Sequence, residues 1–384
     1  MTRRSRRRGA LIGVLLSAVI GGTAQPAIAS APTGTPGRAT ATRHSQLREV
    51  HEVEDTIARS LSSSLRSPHW RAQVRSAALG TAEADLGALA GRATDPAGRH
   101  LSTSVAAADR RIAELKGLPA STGSLLRIRL GAPAMRARLT AAVDPWVAVA
   151  AADDHAGSIT AYDSRGRSHT VDTARVPDRP LYVLDIDVSK AHRAGLEVLR
   201  KAFADRGLAA SPSARADARA TAGWWATKVT AVEVSDDEEP WFKGAAETFS
   251  LVTGFGLDGK PRVDSVDMPY LDYDGTVYYP NQILVNWSNY KYNLADVVMM
   301  EDDDGTNYKA LAQAITTALL TVTDQGTYIP LVNALLAAMP DSWFTDDPDY
   351  VESWYTLSRN STGRLNGAAG NGWMTVEPYF VEEL

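Results

Sequence analysis

The residues Glu301-Asp302-Asp303-Asp304-Gly305-Thr306-Asn307-Tyr308 connect a predicted β-strand to a predicted helix. The strand covers 297–300, and the helix is indicated by apolar residues at three- and four-residue spacing between Leu311 and Val322. Four consecutive carboxylates repel one another, so a folded domain keeps them either in solvent or around a cation. The stretch therefore raises two questions, how strands and helices are combined here and whether an ion is bound.

The C-terminal part of the chain, 222–384, reads as an antiparallel β-sandwich. Turn residues separate six strand candidates, at 225–234, 247–254, 282–287, 297–300, 351–357 and 374–379. Two helical patterns, from Leu311 to Val322 and from Ile329 to Met339, interrupt them. We expect a C2-like sandwich with a two-helix insert that covers one of its edges or ends.

The preceding part, 44–206, is predicted to hold a helical region followed by a small β unit. Apolar residues at helical spacing recur from Leu47 to Leu65 and again from Val105 to Leu115. Period-two alternation at 126–130 opens the β unit, and Gly166 suits a hairpin turn. The fold class is therefore α+β, with a boundary placed in the small-residue linker 207–221.

The first residues have the pattern of an export signal. Five arginines precede an apolar run from Ala10 to Ile20, and Ala27-Ile28-Ala29 is a small-x-small cleavage site. A twin-arginine signal and a plain secretory signal both fit. We expect a signal peptide at 1–29, a disordered leader at 30–43, and a secreted chain without a later membrane span. The chain has no cysteine, which excludes disulfides, thiol nucleophiles and thiolate metal sites.

Charge divides the chain into two unlike parts. Residues 222–384 contain 25 acidic against 8 basic side chains, a net charge of -17, whereas residues 1–221 contain 20 against 32, a net charge of +12. A part this negative disfavours nucleic acid as its partner. All seven histidines precede residue 193, so any chemistry confined to the acidic part proceeds without imidazole.

Acidic residues gather in four clusters in the C-terminal part, each beside a predicted strand end. The clusters lie at 236–239, 272–274, 301–304 and 346–352. Loops at the ends of a sandwich meet in space, and calcium accepts six to eight oxygen ligands in flexible geometry. Calcium is therefore the hypothetical cofactor. The candidate metal ligands are Asp236, Asp237, Asp272, Asp274, Glu301, Asp302, Asp303, Asp304, Asp347 and Asp349.

A local helix-loop-helix calcium loop is excluded by spacing, because alignment on Gly275 or Gly305 puts Tyr270 or Met300 at the first ligand position. The alternative for each cluster is a solvated surface, with Asp304 or Thr306 capping the following helix. The candidate ligands therefore depend on loops that converge in space.

Catalytic motifs are weak. His51-Glu52-Val53-Glu54-Asp55 lacks the second histidine of a zinc-protease motif, and Asp185-Ile186-Asp187 lacks the βαβ context of phosphoryl-transfer enzymes. An exported hydrolase that joins N-terminal histidines to C-terminal acids stays open as an alternative. A glycan-binding module is a second alternative, because 268–280 interleaves aromatic rings with acids.

Several long motifs resemble an exported bacterial family catalogued as domain of unknown function 3103. They are Pro240-Trp241-Phe242-x-Gly244, Val266-Asp267-Met268-Pro269-Tyr270-Leu271-Asp272-Tyr273-Asp274, Tyr279-Pro280-Asn281-Gln282, Asp303-x-Gly305-Thr306-Asn307-Tyr308, Asp349-Tyr350-Val351, Ile159-Thr160-Ala161-Tyr162-Asp163 and Pro180-Leu181-Tyr182-Val183-Leu184-Asp185. The resemblance implies no activity and no functional residues. The residues themselves favour an exported, calcium-associated binding or structural protein, with an extracellular protein or a glycan as the partner classes left open.

Overall fold

The structure is a computed structural model that describes residues 36–150, 156–209, 223–235, 247–271, 273–302, 305–339 and 350–382, with side chains from residue 46 onwards. The helices in it are α1 (Pro36–Ser64), α2 (Pro68–Gly80), α3 (Leu86–Gly91), α4 (Pro96–Leu115), α5 (Val188–Asp205), α6 (Tyr308–Leu319) and α7 (Val332–Leu336). None of the described helices is both long and apolar enough to cross a membrane.

The strands belong to three sheets. They are β1 (Glu83–Asp85), β2 (Leu126–Leu130), β3 (Trp146–Val149), β4 (Ser158–Tyr162), β5 (Ser168–Asp172), β6 (Leu181–Ile186), β7 (Gly223–Val234), β8 (Glu247–Phe255), β9 (Pro261–Asp267), β10 (Gln282–Asn286), β11 (Leu294–Asp302), β12 (Tyr350–Ser358), β13 (Gly363–Asn366) and β14 (Gly372–Glu382). The first sheet has the order β1-β2-β6-β3-β4-β5, in which β3 and β6 are parallel and the other pairs antiparallel.

The C-terminal strands form the predicted sandwich of two antiparallel sheets. One sheet has the order β10-β7-β14-β13 and the other β12-β11-β8-β9. Side chains such as Val229, Val252, Val297, Trp354 and Met374 fill the space between them. The chain is thus an α+β protein, as the sequence predicts.

The second sandwich sheet is covered on both faces, so β8 is buried at all nine positions instead of alternating. Phe249 and Leu251 on β8 and Val298 on β11 share a core with Ile315 and Leu319 of α6. The helices after β11 therefore pack on a face of this sheet, which corrects the expectation that they cover an edge or end of the sandwich.

This larger core also runs through the N-terminal helices, because it contains Val50, Trp70 and Ile112 together with Phe249. It joins residues on both sides of the predicted boundary at 207–221. Most of that linker lies outside the described residues, and the boundary itself stays a prediction.

Local signals start the helices. Asp187 accepts a hydrogen bond from Lys190 N at 3.0 Å and begins α5, and Asn307 accepts one from Ala310 N at 2.9 Å and begins α6. Asn307 thus replaces the predicted caps Asp304 and Thr306. The first helix begins at Pro36, inside the stretch 30–43 expected to be a disordered leader. Residues 1–35, including the predicted signal peptide, lie outside the described part of the chain.

Candidate functional site

Three of the ten predicted metal ligands fall within the described residues: Asp274, Glu301 and Asp302. The other seven, Asp236, Asp237, Asp272, Asp303, Asp304, Asp347 and Asp349, lie outside them. Among the residues that the structure describes, no group of three or more histidine or acidic side chains is placed to hold a metal ion.

A small pocket lies where the four acid-bearing segments leave the sheets. Val234, two residues before Asp236, lines it together with Tyr273, Glu301 and Val351, and Val351 follows Asp349 by two residues. The remaining lining residues are Thr248, Leu271 and Tyr278. Each acidic cluster has a residue of its own or a close chain neighbour in this lining, so described residues from or beside all four clusters lie at one end of the sandwich.

Backbone hydrogen bonds fix this end of the sandwich, which we call the acidic end. Gly275 N donates to Val234 O at 2.8 Å, which joins the turn beside Asp274 to the end of β7. Glu301 on β11 is paired in register with Thr248 on β8. The turn beside Asp274 is thereby tied to one sheet, while Glu301 is part of the other.

Asp302 faces away from solvent, unlike a residue in a charged loop. Asp302 is the last residue of β11 and is 3% exposed. Its Oδ2 accepts a hydrogen bond from the Tyr308 hydroxyl. Lys116 Nζ lies 3.8 Å from Asp302 Oδ1, and both side chains are buried. A buried carboxylate needs a partner of opposite charge, and Lys116 is that partner for Asp302.

His192 of α5 completes what we call the buried polar centre, formed by Lys116, His192, Asp267, Asp302 and Tyr308. Its Nδ1 lies 3.4 Å from the Tyr308 hydroxyl and 3.8 Å from Asp302 Oδ2. Its Nε2 lies 3.2 Å from Asp267 Oδ1. The side-chain hydrogen bond with His192 holds the pKa of Asp267 below its ordinary value. The centre joins α4, α5, α6 and the second sandwich sheet.

Glu247 lies beside this centre, because it is paired in register with Asp302. Ser189 Oγ donates a hydrogen bond to Glu247 Oε1. Burial raises the pKa of Glu247, and its acidic neighbours Asp302 and Asp267 raise it further. The edge of the centre therefore holds a carboxyl group that is easier to protonate than an exposed glutamate.

Close packing positions the centre. Gly195 on α5 lies so near the Tyr308 ring that a Cβ atom there would come within 2.1 Å of Tyr308 Cζ. The chain before α6 also docks onto the end of α4, because Asn307 Nδ2 donates to Leu115 O at 2.7 Å and Tyr308 N donates to Lys116 O at 3.0 Å. The second half of the stretch 301–308 thus connects the C-terminal sandwich to the N-terminal helices.

The contact between His192 and the acids is the kind that a hydrolase with a joint site requires. Both ring nitrogens are already engaged, however, and the ring is fully buried. General base catalysis needs a nitrogen within hydrogen-bond reach of the substrate. The geometry therefore supports a packing role for His192, and the hydrolase alternative stays an untested prediction.

Sequence reasoning missed the buried polar centre, although a signal for His192 was present. His192 stands four residues before Leu196 and seven before Leu199, on the apolar stripe that α5 buries. Lys116 likewise follows Ile112 by four residues at the end of α4. A polar residue on such a stripe indicates a buried partner, but spacing alone does not name it.

The cluster at 346–352 contains a residue with a structural role. Glu352 is fully buried, and its carboxylate accepts hydrogen bonds from four backbone N–H groups. Ser353 and Ala369 donate to Oε1 at 2.8 and 2.6 Å, and Asn371 and Gly372 donate to Oε2 at 2.8 and 3.1 Å. Glu352 thus holds the turn between β13 and β14 in place, and both of its carboxylate oxygens are engaged in these hydrogen bonds.

Comparisons with known proteins give a family and no activity. No curated protein and no solved structure matches the chain. One family model matches residues 57–384, and its description is "Protein of unknown function (DUF3103)". That match spans most of the chain, from the last third of α1 to the last residue, and agrees with the resemblance carried by the sequence motifs. The chain belongs to the family of proteins of unknown function DUF3103.

Proposed function

We propose that the chain is an exported binding or structural protein that associates with calcium at the acidic end of its sandwich. The observation that carries the proposal is the shared pocket, whose lining includes Glu301 and close chain neighbours of Asp236, Asp272 and Asp349. Carboxylates on separate loops at one end of a sandwich supply oxygens without demanding strict geometry, which suits calcium. Asp302 belongs to the buried polar centre. The proposed ligands are therefore the other nine candidates: Asp236, Asp237, Asp272, Asp274, Glu301, Asp303, Asp304, Asp347 and Asp349.

Charge favours a cation at this end. Residues 222–384 carry a net charge of -17, and repulsion among neighbouring acids destabilises the folded state unless solvent or a cation offsets it. A divalent ion bound only by the folded form would stabilise it by about 2.7 kcal/mol at a hundred times its dissociation constant. Calcium would thus act as a structural ion that orders the loops of the acidic end.

Thermal unfolding with calcium and with a chelator tests the proposal. We expect the midpoint to rise with millimolar calcium and to fall back on chelation, with a smaller effect of magnesium. The double variant Asp274→Asn with Glu301→Gln should lose most of this shift. Glu382→Gln is the matched control, since Glu382 is exposed near the opposite end of the same sandwich. An unchanged midpoint in millimolar calcium contradicts the proposal.

A further inference from the structure

An open cleft of about 580 Å³ lies away from the acidic end. One side is the tip of the hairpin between β8 and β9, and another is the chain that follows α6, from Leu320 to Asp324. Lys291, between β10 and β11, contributes a third side. The volume is within the range of about 300–1,000 Å³ that is typical of small-molecule sites. We call it the hairpin cleft.

Apolar side chains on the rim of the hairpin cleft are unusually exposed. Leu257, at the hairpin tip, is 71% exposed, and Leu320, at the end of α6, is 49% exposed. Single exposed leucines are common on protein surfaces, but two that line one cleft with Val322 form a concave apolar surface. Covering that surface with an apolar ligand would be favourable, because it removes apolar area from water.

Charge at the hairpin cleft differs from charge in the rest of the C-terminal part. Three of the eight basic residues of 222–384, Lys260, Arg262 and Lys291, lie in its lining or next to it, within a part that carries 25 acids. Two acids, Asp258 and Asp324, line it. The immediate surroundings therefore have a net charge of +1, three basic minus two acidic, beside an otherwise acidic sandwich.

Both acids are engaged with other groups. Asp324 accepts hydrogen bonds from Lys291 Nζ at 2.6 Å, from the Tyr292 hydroxyl at 2.7 Å and from Gly326 N at 2.8 Å. Asp258 accepts one from Lys260 N at 3.1 Å. Asp258 Oδ1 and Arg262 Nε also lie 2.8 and 2.9 Å from the point where Gly256 would carry a Cβ atom, so the two side chains are neighbours.

The side chain of Lys260 is exposed at the cleft and forms no salt bridge with any described side chain. An anionic group would gain a charge-assisted hydrogen bond there. We propose that the hairpin cleft binds an amphipathic anion, a small ligand whose apolar body covers Leu257 and Leu320 and whose carboxylate or phosphate group pairs with Lys260.

This site is independent of the calcium proposal. The acidic end lies at the Glu247 end of β8, whereas the hairpin cleft lies beyond Phe255 at the other end. At about 3.3 Å per residue the strand separates them by roughly 26 Å. Failure of one proposal therefore leaves the other unaffected.

Calorimetric titration of the full chain with octanoate and with octyl phosphate, both below their micelle concentrations, tests the inference. We expect one or both to bind at a single site, and neutral octan-1-ol to bind at least about tenfold more weakly, since a charge-assisted contact is worth about 1.5 kcal/mol. The probe that binds more tightly identifies the anionic group. Binding should also weaken as salt is added.

Variants localise the site. Lys260→Gln should weaken binding about tenfold, and Leu257→Ser about fivefold or more. Both residues are exposed at a hairpin tip, so thermal midpoints should remain near that of the unchanged chain. Lys201→Gln on α5 and Val176→Ser after β5 are exposed controls that should bind normally. The inference is overturned if neither probe binds, if octan-1-ol binds equally well, or if Lys260→Gln binds as tightly as the unchanged chain.

Discussion

Replacing Gly195 by alanine tests whether the buried polar centre depends on close contact between α5 and α6. The added Cβ atom would lie 2.1 Å from Tyr308 Cζ and 2.2 Å from both Cε atoms, far inside van der Waals distance. Tyr308 is fully buried, so its ring is enclosed by other parts of the protein. The ring must shift with α6, and its hydrogen bond to Asp302 is lost or weakened.

The magnitude follows from three contributions. Overpacking a buried site costs about 1–3 kcal/mol. A hydrogen bond to a buried carboxylate contributes about 1.5–3 kcal/mol, and alanine regains about 1 kcal/mol over glycine in a helix. We therefore expect the free energy of unfolding to fall by roughly 1.5–5 kcal/mol.

Urea unfolding followed by tryptophan fluorescence and by circular dichroism measures this change. Gly80→Ala on α2 is the matched control, because a Cβ atom there meets nothing within 4 Å, and it should be neutral or slightly stabilising. Adding Tyr308→Leu to Gly195→Ala should cost less than the two single changes predict together, since the clash has been removed. If Gly195→Ala is as stable as Gly80→Ala, the described contact between the helices is wrong.

Three further predictions concern buried or paired charges. Glu352→Ala leaves four backbone N–H groups without their acceptor and should cost about 3–5 kcal/mol in urea unfolding, whereas exposed Glu382→Ala should cost less than about 0.5 kcal/mol. Lys116→Met removes the ammonium beside buried Asp302 and should lower the free energy of unfolding by about 3–5 kcal/mol. Adding Asp302→Asn to this variant should recover part of the loss. A double variant that is no more stable than Lys116→Met refutes the pairing. The hydrogen bond from Lys291 lowers the pKa of Asp324 to about 2, below the ordinary value of about 3.9. The stabilisation by ionised Asp324 is therefore present above pH 4 and lost as pH falls towards 2. The unfolding free energy of Asp324→Asn should lack this loss. A difference in stability between the two chains that does not change with pH contradicts the prediction.

The spacing of apolar residues predicted most helices and strands, because in an amphipathic segment these residues lie on the face that becomes buried. All six C-terminal strand candidates appear as strands, and the hairpin turn at Gly166 has the positive φ of 81° that glycine favours. Short strands such as β1 and β13 were missed, since three or four residues give too few alternations. β9 was also missed, because its burial alternates only at its first positions.

The periodicity of the sequence does not predict which helices pack on which sheet. An all-buried strand such as β8 shows that both faces are covered, but the residues do not say which helices cover them. Among the clustered acids that the structure describes, Glu301 and Asp302 end β11 and Glu352 lies in β12, whereas Asp274 lies between β9 and β10 and away from both. The roles of Asp302 and Glu352 depend on groups that are distant in sequence. Asp302 forms an ion pair with Lys116, and Glu352 accepts backbone hydrogen bonds from the turn at 367–372. Neither contact has a local sequence signal.

The docking of the segment before α6 onto the end of α4 also bears on how the chain folds. Asn307 and Leu115 are separated by 192 positions, so α4 cannot gain this support until most of the chain has been made. At a synthesis rate of about 5–20 residues per second, that interval is roughly 10–40 s. Throughout it the apolar stripes of the N-terminal helices lack part of their final cover, which makes a holding chaperone most useful during this window.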